Sequence, residues 1–308
     1  MSRLTAWNLL LKPHYRMNPT TTGTMRFRLR LPDKRRSAYF CTRLLYEVMP
    51  VPIRSALNAK LGSCWQSYCP VCQNKVRAFA PLPDFYARSM EQHGSELRLS
   101  DFETCNFEAY QCPHCGATDR DRLYALFLRE RLPSEQKKQE VFHLLDIAPA
   151  HSLSLHIRRN YQLRHRTADL FQQDVDDCVD VTQMDCYASN SFDAFICSHV
   201  LEHVENDRKA MGELYRVLKP GGWGIAMVPI CSRIEGVRED PACTDQAQRW
   251  KLFGQGDHVR LYSRAGFSTR LQEAGFLVQE LRPGSLQRSE RCGLSPSTVL
   301  YVVEKPGL

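Results

Sequence analysis

The sequence lacks a hydrophobic run long enough to cross a membrane. No apolar stretch in its 308 residues approaches the roughly 18 residues that a helical span needs, and the mean hydropathy is −0.41. Hydrophobic residues still make up 43% of the chain and charged residues 24%, which excludes a collagen-like fibre and a wholly disordered protein. We therefore expect one or two folded domains without a transmembrane segment.

A signal peptide and an even number of cysteines are also lacking. Thirteen cysteines lie between Cys41 and Cys292, whereas a secreted disulfide framework is shorter and pairs an even number. This usage favours a reducing compartment, so we expect a cytoplasmic protein whose thiols are free or bound to metal. A mitochondrial transit peptide is the alternative, because the first 30 residues are rich in arginine and poor in acid.

Acidic residues are scarce at the start of the chain. Among residues 1–60, 12 lysines and arginines face only Asp33 and Glu47, so this segment carries +10 and residues 61–308 carry 7 − 10 = −3. Residues 1–60 are interpreted as a basic N-terminal arm. Three roles stay open for it: a solvated arm, an arm on nucleic acid, and peripheral contact with an anionic membrane surface.

Two cysteine knuckles follow the arm, Cys69-Pro-Val-Cys72 and Cys112-Pro-His-Cys115-Gly. Two Cys-x2-Cys pairs turn four thiolates toward one point, which suits tetrahedral zinc. An ion with four protein ligands has no open position, so we expect structural zinc in a small module over residues 61–133. The 39-residue gap between the pairs exceeds that of a compact ribbon. The bystander or substitute ligands nearby are His114, Cys64 and Cys105.

From residue 141 onward, apolar strands alternate with amphipathic helices, which predicts a mostly parallel sheet covered on both faces. The predicted strands are Val141–Ile147, His165–Leu170, Cys178–Val181, Ala194–Ser198, Trp223–Pro229, Phe276–Leu281 and Thr298–Glu304. The predicted helices are Asp119–Leu132, Leu153–Asn160, Asn206–Leu218 and Ser268–Ala274. Residues 133–140 are polar and are interpreted as a linker between the two parts.

Acidic residues close the first three strands of this region: Asp146, Asp169 and Asp180. In an open parallel sheet, ligands bind beyond the carboxyl ends of the strands. Asp169 follows Asp146 by 23 positions, near the offset of about 20 that a ribose-binding carboxylate shows in nucleotide-binding folds. The pattern therefore predicts a nucleoside-containing cofactor at this edge.

The strongest family signal lies between residues 191 and 222. It consists of SFDAFICSHVLEHV over residues 191–204 and ELYRVLKPGG over residues 213–222. On these stretches, residues 141–304 resemble a class I S-adenosylmethionine-dependent methyltransferase. The resemblance implies an α/β fold with a Rossmann-like, seven-stranded, mostly parallel sheet and helices on both faces. We assign this methyltransferase domain to residues 141–308, preceded by the small zinc-binding module.

The resemblance also implies S-adenosyl-L-methionine as the cofactor. The acid that ends the second strand would hold the ribose hydroxyls, which falls on Asp169, and the acid that ends the third would contact the adenine, which falls on Asp180. Backbone after the fourth strand, at Ser198 and His199, would face the methionine end. The other predicted cofactor-binding residues are Asp146, Ala148, Pro149, Leu170 and Val181.

The loop after the first strand departs from the family pattern. The family has a glycine-rich loop there, but residues 146–151 read DIAPAH, without glycine. Glycine lets a backbone adopt positive φ and approach a ligand closely, so this loop must take another path. Some relatives with a cysteine-knuckle module also carry an Ala-Pro loop, which favours a subfamily trait over a degenerate fold without cofactor.

Three histidines are candidates for a general base that takes a proton from the methyl acceptor. His199 lies nearest the expected methyl position, whereas His203 is alternatively a packed structural histidine. His258 belongs to residues 253–262, FGQGDHVRLY, which resemble a stretch of the relatives. We interpret that segment as substrate-binding or lid material, with a salt-bridged loop as the alternative.

The predicted function is methyl transfer to a small-molecule or glycan- or lipid-linked metabolite. The alternative is an RNA methyltransferase whose zinc module and basic arm bind nucleic acid. Against that alternative, the body of the protein is slightly acidic, and no Asn/Asp-Pro-Pro-aromatic motif follows the fourth strand. A non-catalytic binding module on the cofactor fold is the third reading. The acceptor, the atom methylated and the oligomeric state do not follow from the sequence.

Overall fold

The computed structural model describes residues 67–103, 105–135 and 141–307, which lie in one compact unit. The predicted basic arm and the first residues of the predicted zinc module fall outside the described residues, as does Cys64. Within the described ranges, no helix has both the length and the apolar character that crossing a bilayer would require.

The described chain forms short strands first, then a large sheet interleaved with helices. The strands are β1 (Ser67–Cys69), β2 (Asn74–Val76), β3 (His143–Ile147), β4 (Arg164–Asp169), β5 (Asp177–Cys178), β6 (Phe192–Ser198), β7 (Leu218–Met227), β8 (Val237–Glu239), β9 (Arg260–Tyr262), β10 (Leu277–Leu281) and β11 (Leu300–Glu304). The helices are α1 (Phe85–Gln92), α2 (Asp119–Glu135), α3 (His151–Asn160), α4 (Asp207–Val217), α5 (Gln246–Phe253) and α6 (Arg264–Glu273).

Seven strands form the central sheet in the order β10-β11-β7-β6-β3-β4-β5. All neighbours from β7 to β5 pair in parallel, and β11 runs antiparallel to both β7 and β10. This topology confirms the predicted Rossmann-like fold class. Strands β4 and β6 pair on opposite sides of β3, so the strand order reverses there. The carboxyl ends of β3 and β6 therefore flank the switch point at which such sheets bind ligands.

The central strands are buried along nearly their whole length. Strand β6 reads FDAFICS, and in β3 the residues from Leu144 to Ile147 are all buried. A parallel sheet covered by helices needs such continuous apolar runs, which is why this part of the fold was readable from the sequence. Gly224 in β7 permits the closest contact, because a Cβ there would lie 2.3 Å from the ring of Phe195 in β6.

Several predicted boundaries were wrong. The predicted third strand, Cys178–Val181, is the shorter β5, so Asp180 lies two residues beyond it. Strand β7 begins at Leu218, not Trp223, because α4 ends at Val217 and the Lys-Pro-Gly-Gly turn continues directly into the strand. A register shift in β6 between Phe192 and Ala194 absorbs the irregularity. Helix α6 begins at Arg264, not Ser268, since the Ser263 hydroxyl accepts the N–H of Gly266 and caps the helix earlier.

The stretch between the two knuckles is less irregular than predicted. It contains α1, a helix that the sequence analysis missed. Its hydrophobic stripe is short, and only Ser89 and Met90 are buried. The Met90 side chain belongs to a small core with Leu97, Phe253 and Leu261, so α1 packs against the segment between β7 and β10. Tertiary packing, not local propensity, stabilises this helix.

The cysteine segment shares one hydrophobic core with the sheet. The side chain of Arg122, fully buried, donates hydrogen bonds to the carbonyl oxygens of Cys292 at 2.7 Å, Ala117 at 3.1 Å and Tyr110 at 3.2 Å. Its guanidinium also lies 3.7 Å from the centre of the Phe79 ring. The core is continuous across the predicted boundary between residues 61–133 and 141–308. That the two parts are separate domains stays a prediction.

Candidate functional site

The four knuckle cysteines converge on one point. The Sγ atoms of Cys69 and Cys115 lie 3.8 Å apart, as do those of Cys72 and Cys112, and all four lie within 4.8 Å of one another. A tetrahedral ion with metal–sulfur bonds of about 2.3 Å places its sulfur ligands about 3.8 Å apart. The spacing thus matches a zinc–thiolate tetrahedron. A hydrogen bond with Cys115 lowers the pKa of the Cys112 thiol to about 7, which favours thiolate there.

Local backbone geometry builds this cluster. The first pair lies at the β1–β2 hairpin, where Gln73 takes a positive φ of 58°. The second pair lies in a turn that the Cys112 N–H closes by donating to the Ala117 carbonyl at 2.8 Å. The substitute ligands considered from sequence are not part of the cluster: His114 is exposed, and Cys105 is not among the four converging thiols.

At the end of β4, the Asp169 carboxylate is held in a fixed orientation. Its Oδ1 accepts the N–H groups of Phe171 at 2.6 Å and Gln172 at 2.8 Å. Its Oδ2 accepts the Gln172 side-chain amide at 3.0 Å, and the residue is 8% exposed. Next to it, Leu170 and Phe171 leave 45% and 65% of their surface exposed. A polar anchor beside two exposed apolar side chains suits a nucleoside, which has a hydroxylated sugar and an apolar base.

The other two predicted strand-end acids differ from Asp169. Asp180 is exposed and accepts the N–H and hydroxyl of Thr182 at 2.8 and 2.7 Å, while the neighbouring Val181 is buried. Asp146 is only 1% exposed and binds inward, to Ser154 Oγ at 3.0 Å and His165 Nε2 at 2.9 Å. The structure thus leaves Asp180 accessible and turns the Asp146 carboxylate away from the other two.

The loop after β3 reaches positive φ without glycine. Ala148 has a φ of 52°, and its N–H donates to the carbonyl of Ala168 at 2.8 Å. For a residue with a side chain this left-handed conformation costs on the order of 1–2 kcal/mol, and such strain clusters at functional sites. Pro149 follows and fixes the path into α3. This is the alternative path that the missing glycines required.

The carboxyl end of β6 is the second element of the switch point. Ser198 Oγ lies 2.7 Å from the hydroxyl of Tyr124 in α2, so the helix is joined to the strand end. His199 has a positive φ of 57°, and its N–H donates to the Met227 carbonyl at 2.8 Å. Arg120, one turn before Tyr124 on the same helix face, makes no hydrogen bond or ion pair with its side chain among the described residues.

Three histidines surround one buried carboxylate beyond β6. Glu202 is 1% exposed, and its Oε1 lies 3.3 Å from His199 Nδ1 and 3.8 Å from His203 Nε2. The ring of His258, 2% exposed, lies edge-on to that of His203 with 4.8 Å between centroids. The structure therefore brings the three predicted candidate bases together, although His258 lies 55 positions after His203 in the chain.

Arg260 holds this cluster in place. Its buried guanidinium donates to the carbonyl oxygens of Leu201 at 2.7 Å and Glu205 at 2.8 Å, on either side of Glu202 and His203. It also pairs with Glu239 at 3.0 Å, its neighbour across the paired strands β8 and β9. Residues 253–262 are thus part of the site's framework, because Val259 N–H donates to the carbonyl of Glu202 at 2.9 Å.

Burial governs the protonation of the cluster. Desolvation, together with the charge of Arg120, lowers the pKa of His199 to about 4. Desolvation, followed by electrostatic repulsion from His203, lowers the pKa of His258 to about 3. Hydrogen bonding and attraction from His199 outweigh desolvation and lower the pKa of Glu202 to about 2. At neutral pH the site therefore holds the Glu202 carboxylate beside neutral imidazoles at His199 and His258, which can accept protons or bind a metal ion.

Sequence reasoning missed three residues of this site: Arg120, Tyr124 and Glu202. Glu202 stands between two histidines that were singled out, so its position was a usable signal. Arg120 and Tyr124 lie in a helix that precedes the sheet region by some twenty residues, and only the packing of α2 against β6 brings them to the strand end. No local pattern in the sequence announces that contact.

A groove of about 630 Å³ lies at the opposite edge of the sheet. It is lined at the amino ends of β3, β4 and β6, among others by His143, Arg164 and Phe192. None of the strand-end acids or histidines of the candidate site faces it. Because α/β sheets bind ligands at the carboxyl ends of their strands, we place the functional site at the other edge.

Residues 152–226, which run from α3 to β7, match a family model described as a methyltransferase domain. A comparison with curated proteins gave no match.

Three solved structures that this chain resembles are 13–16% identical to it. The CurJ carbon methyltransferase is 16% identical over 61% of this chain and 57% of its own, with a TM-score of 0.40. The [4+2]-cyclase SpnF is 16% identical over 75% of this chain and all of its own, with a TM-score of 0.42. A SAM-dependent methyltransferase from Archaeoglobus fulgidus is 13% identical over 59% of this chain and 92% of its own, with a TM-score of 0.38.

Proposed function

We propose that this protein transfers a methyl group from S-adenosylmethionine to a small-molecule or glycan- or lipid-linked acceptor. The observation that supports it most is the constellation at the switch point of a seven-stranded sheet. There an oriented carboxylate, Asp169, ends β4, and a strained loop at Ala148 follows the neighbouring strand β3. The match of residues 152–226 to a methyltransferase domain agrees with this proposal.

The residues present fit this cofactor. Asp169 would hold the ribose hydroxyls through Oδ2, which accepts only one hydrogen bond from the described residues. Asp180 would bind the adenine edge, with Leu170 against the base. The backbone at Ala148 and Pro149, and that at Ser198 and His199, would line the methionine end. When bound, the cofactor supplies an electrophilic methyl group on a sulfonium, so the protein itself needs only to position the acceptor and remove its proton.

His199 is the residue that we assign to proton removal. It follows β6 directly, its side chain is 23% exposed, and its Nε2 has no hydrogen-bond partner among the described residues. Glu202 faces the other ring nitrogen, Nδ1, at 3.3 Å, and so orients the imidazole. With its pKa lowered to about 4, His199 is neutral at physiological pH and able to take the acceptor's proton at Nε2.

The surroundings of His199 favour a small acceptor over a polymer. Arg120 interacts with Tyr110 and Tyr124, whose side chains are 9% and 1% exposed. We place the acceptor space beside His199, where the charge of Arg120 acts on the ring and the Tyr124 hydroxyl lies 2.7 Å from Ser198 Oγ. A cation and a phenol hydroxyl beside the base suit a compact ligand that carries an anionic or hydroxyl group.

We further propose that Cys69, Cys72, Cys112 and Cys115 bind structural zinc. Their mutual distances fit the ion, and four thiolates leave no coordination position for a substrate. The cluster also contacts α3, where Ser152 donates to the Cys115 carbonyl and His156 Nδ1 bonds the Val71 carbonyl at 2.8 Å. Zinc would therefore stabilise the helix that follows the cofactor loop.

Cofactor binding tests the first half of the proposal. Calorimetric titration of the full-length protein with S-adenosylhomocysteine should show saturable binding. Asp169→Asn should weaken that binding at least about tenfold, because a charged hydrogen-bond acceptor contributes about 1.5–3 kcal/mol. The matched control is Glu290→Gln, an exposed carboxylate between β10 and β11 on the opposite side of the sheet from β4, which should bind like the wild type.

Methyl transfer tests the second half. Protein incubated with tritium-labelled S-adenosylmethionine should label a deproteinised metabolite extract, and Asp169→Asn should lose that labelling. Label that appears only in added total RNA would favour the nucleic-acid alternative. Absence of any cofactor binding, in protein with a cooperative melting transition, would favour the non-catalytic reading and refute the proposal.

A further inference from the structure

We propose that Glu202, His203 and His258 form a second metal site, which takes a divalent first-row transition ion. The three side chains place one carboxylate oxygen and two imidazole nitrogens within 4.8 Å of one another. Two histidines and one carboxylate are a donor set that binds transition-metal ions in proteins. The site is separate from the cysteine cluster and uses harder ligands.

The hydrogen bonds of the histidines prepare them for a metal. His203 Nδ1 lies 3.2 Å from the backbone carbonyl of Asp257 and donates to it, while Nε2 lies 3.8 Å from Glu202 Oε1. The ring of His258 likewise bonds the backbone of Phe253, while its buried Nδ1 has no hydrogen-bond partner among the described residues. Metal-binding histidines characteristically donate their second N–H to a backbone carbonyl in this way.

The carboxylate supplies a second, independent observation. Glu202 is 1% exposed, yet neither of its oxygens accepts a well-directed hydrogen bond from any described residue. Burying an ionised carboxylate in this state is costly unless a cation compensates it. Arg260, which contacts the same turn, directs its guanidinium to the Leu201 and Glu205 carbonyls and to Glu239. An ion between the three side chains would satisfy the unpaired atoms of Glu202 and His258 together.

The donor chemistry selects the class of ion. Imidazole nitrogen suits zinc, iron, cobalt and manganese better than magnesium or calcium, which prefer all-oxygen sites. The absence of thiolate keeps the site distinct from the cysteine tetrahedron, where zinc is favoured. With three protein ligands the ion retains open positions, as catalytic ions do.

An open position beside His199 gives this ion a role. Resting on the proposed methyl transfer, the inference is that the ion binds an oxygen of the acceptor and holds it next to the base at His199. A bound divalent ion lowers the pKa of a ligated hydroxyl, so the acceptor would be an oxygen nucleophile. The proposal therefore narrows the acceptor class to hydroxylated compounds.

Cobalt titration of full-length protein that carries one equivalent of zinc per chain, enough to fill the cysteine cluster alone, tests the site. Cobalt should bind with one equivalent per chain and give weak ligand-field bands in the visible spectrum, without the intense sulfur-to-cobalt band of a thiolate site. Glu202→Gln and His258→Gln should each weaken this binding at least about tenfold, as loss of a ligand or even of its support does. His114→Gln, a surface histidine in the second knuckle, is the matched control and should bind like the wild type.

The outcome does not depend on methyl transfer, since no cofactor is added. Wild-type protein that takes up no cobalt at millimolar concentration would overturn the proposal, and so would Glu202→Gln that binds as tightly as wild type. If the buried substitutions fail to fold, as judged by circular dichroism, His203→Gln at the partly exposed position replaces them. Titration of the same samples with S-adenosylhomocysteine shows separately whether the cofactor proposal holds.

Discussion

The cysteine cluster and the histidine–glutamate cluster offer metal ions two different kinds of site. The first has four equivalent thiols whose Sγ atoms stand 3.8 Å apart in pairs, at hairpin turns that contact α3. The second has mixed donors, lies at the carboxyl end of β6, and is held by Arg260 from another part of the chain. A closed set of ligands can only stabilise, whereas an incomplete set at a strand end can act on a substrate.

The energetic expectation differs accordingly. The proposed structural zinc would contribute its binding free energy, on the order of 10 kcal/mol, to the folding of a region that shares one core with the sheet. The histidine–glutamate cluster lies in a turn already fixed by backbone hydrogen bonds to Arg260, so its ion would contribute mainly to reactivity. The predictions below test whether stability and function separate between the two clusters in this way.

The largest effect is expected at the cysteine cluster. Cys112→Ser should abolish cooperative thermal unfolding. Losing a zinc ligand removes binding free energy comparable to the whole free energy of unfolding of a domain. Circular dichroism melting measures this. Cys186→Ser, at an exposed thiol outside the cluster, should change the free energy of unfolding by no more than about 0.5 kcal/mol. A Cys112→Ser protein that melts like the wild type would refute structural zinc.

A smaller contrast is expected between two arginines in the same helix. Arg122→Lys should cost about 3 kcal/mol or more, because one ammonium cannot replace the fork that serves the Cys292, Ala117 and Tyr110 carbonyls. Arg120→Lys should cost less than about 1 kcal/mol, since its side chain makes no hydrogen bond or ion pair with the rest of the described structure. Urea unfolding compares the two variants.

Equal losses in the two variants would contradict the assignment of Arg122 to the fold and Arg120 to the acceptor space. The comparison is well matched, because the substitution and the helix are the same and the positions are two residues apart. Only the partners of the guanidinium differ.

The smallest effect is expected in the loop after β3. Ala148→Gly should leave the free energy of unfolding unchanged or raise it by up to about 1 kcal/mol, because relief of the positive φ offsets the greater backbone entropy of glycine. Ala188→Gly, at an exposed residue outside the positive-φ positions, should instead lose up to about 1 kcal/mol. Chemical denaturation with both variants measures the difference, and equal losses would show that Ala148 is unstrained.

The sequence analysis was most successful where a physical signal is local. Buried parallel strands require continuous apolar runs, so the positions of the seven strands along the chain could be predicted. The paired Cys-x2-Cys knuckles indicated which thiols converge. Boundaries were less secure. The start of β7 depended on whether a Pro-Gly-Gly turn stops the chain or leads into a strand, and only pairing with β6 decides that.

The orientation of side chains was not predictable from position alone. Asp146, Asp169 and Asp180 were all predicted at strand ends. Asp169 does end β4, whereas Asp146 is the last but one residue of β3 and Asp180 lies two residues after β5. Asp146 turns inward to His165 and Ser154, while Asp169 is fixed by its own loop. Whether such a side chain faces the ligand edge or the neighbouring helix depends on the following turn. Helix α3 begins five residues after Asp146 and draws its carboxylate inward through Ser154.

By itself, the sequence determined the α/β sheet, the four convergent cysteines and the acids at or near the ends of three strands, because each follows from periodicity or spacing within a few tens of residues. Only the tertiary structure decided that His258 joins Glu202 and His203, that Arg260 holds their turn, and that α2 brings Arg120 to the end of β6. These contacts join residues some 55 to 75 positions apart. The packing of helices and hairpins around the sheet places them together, and no local pattern carries that information.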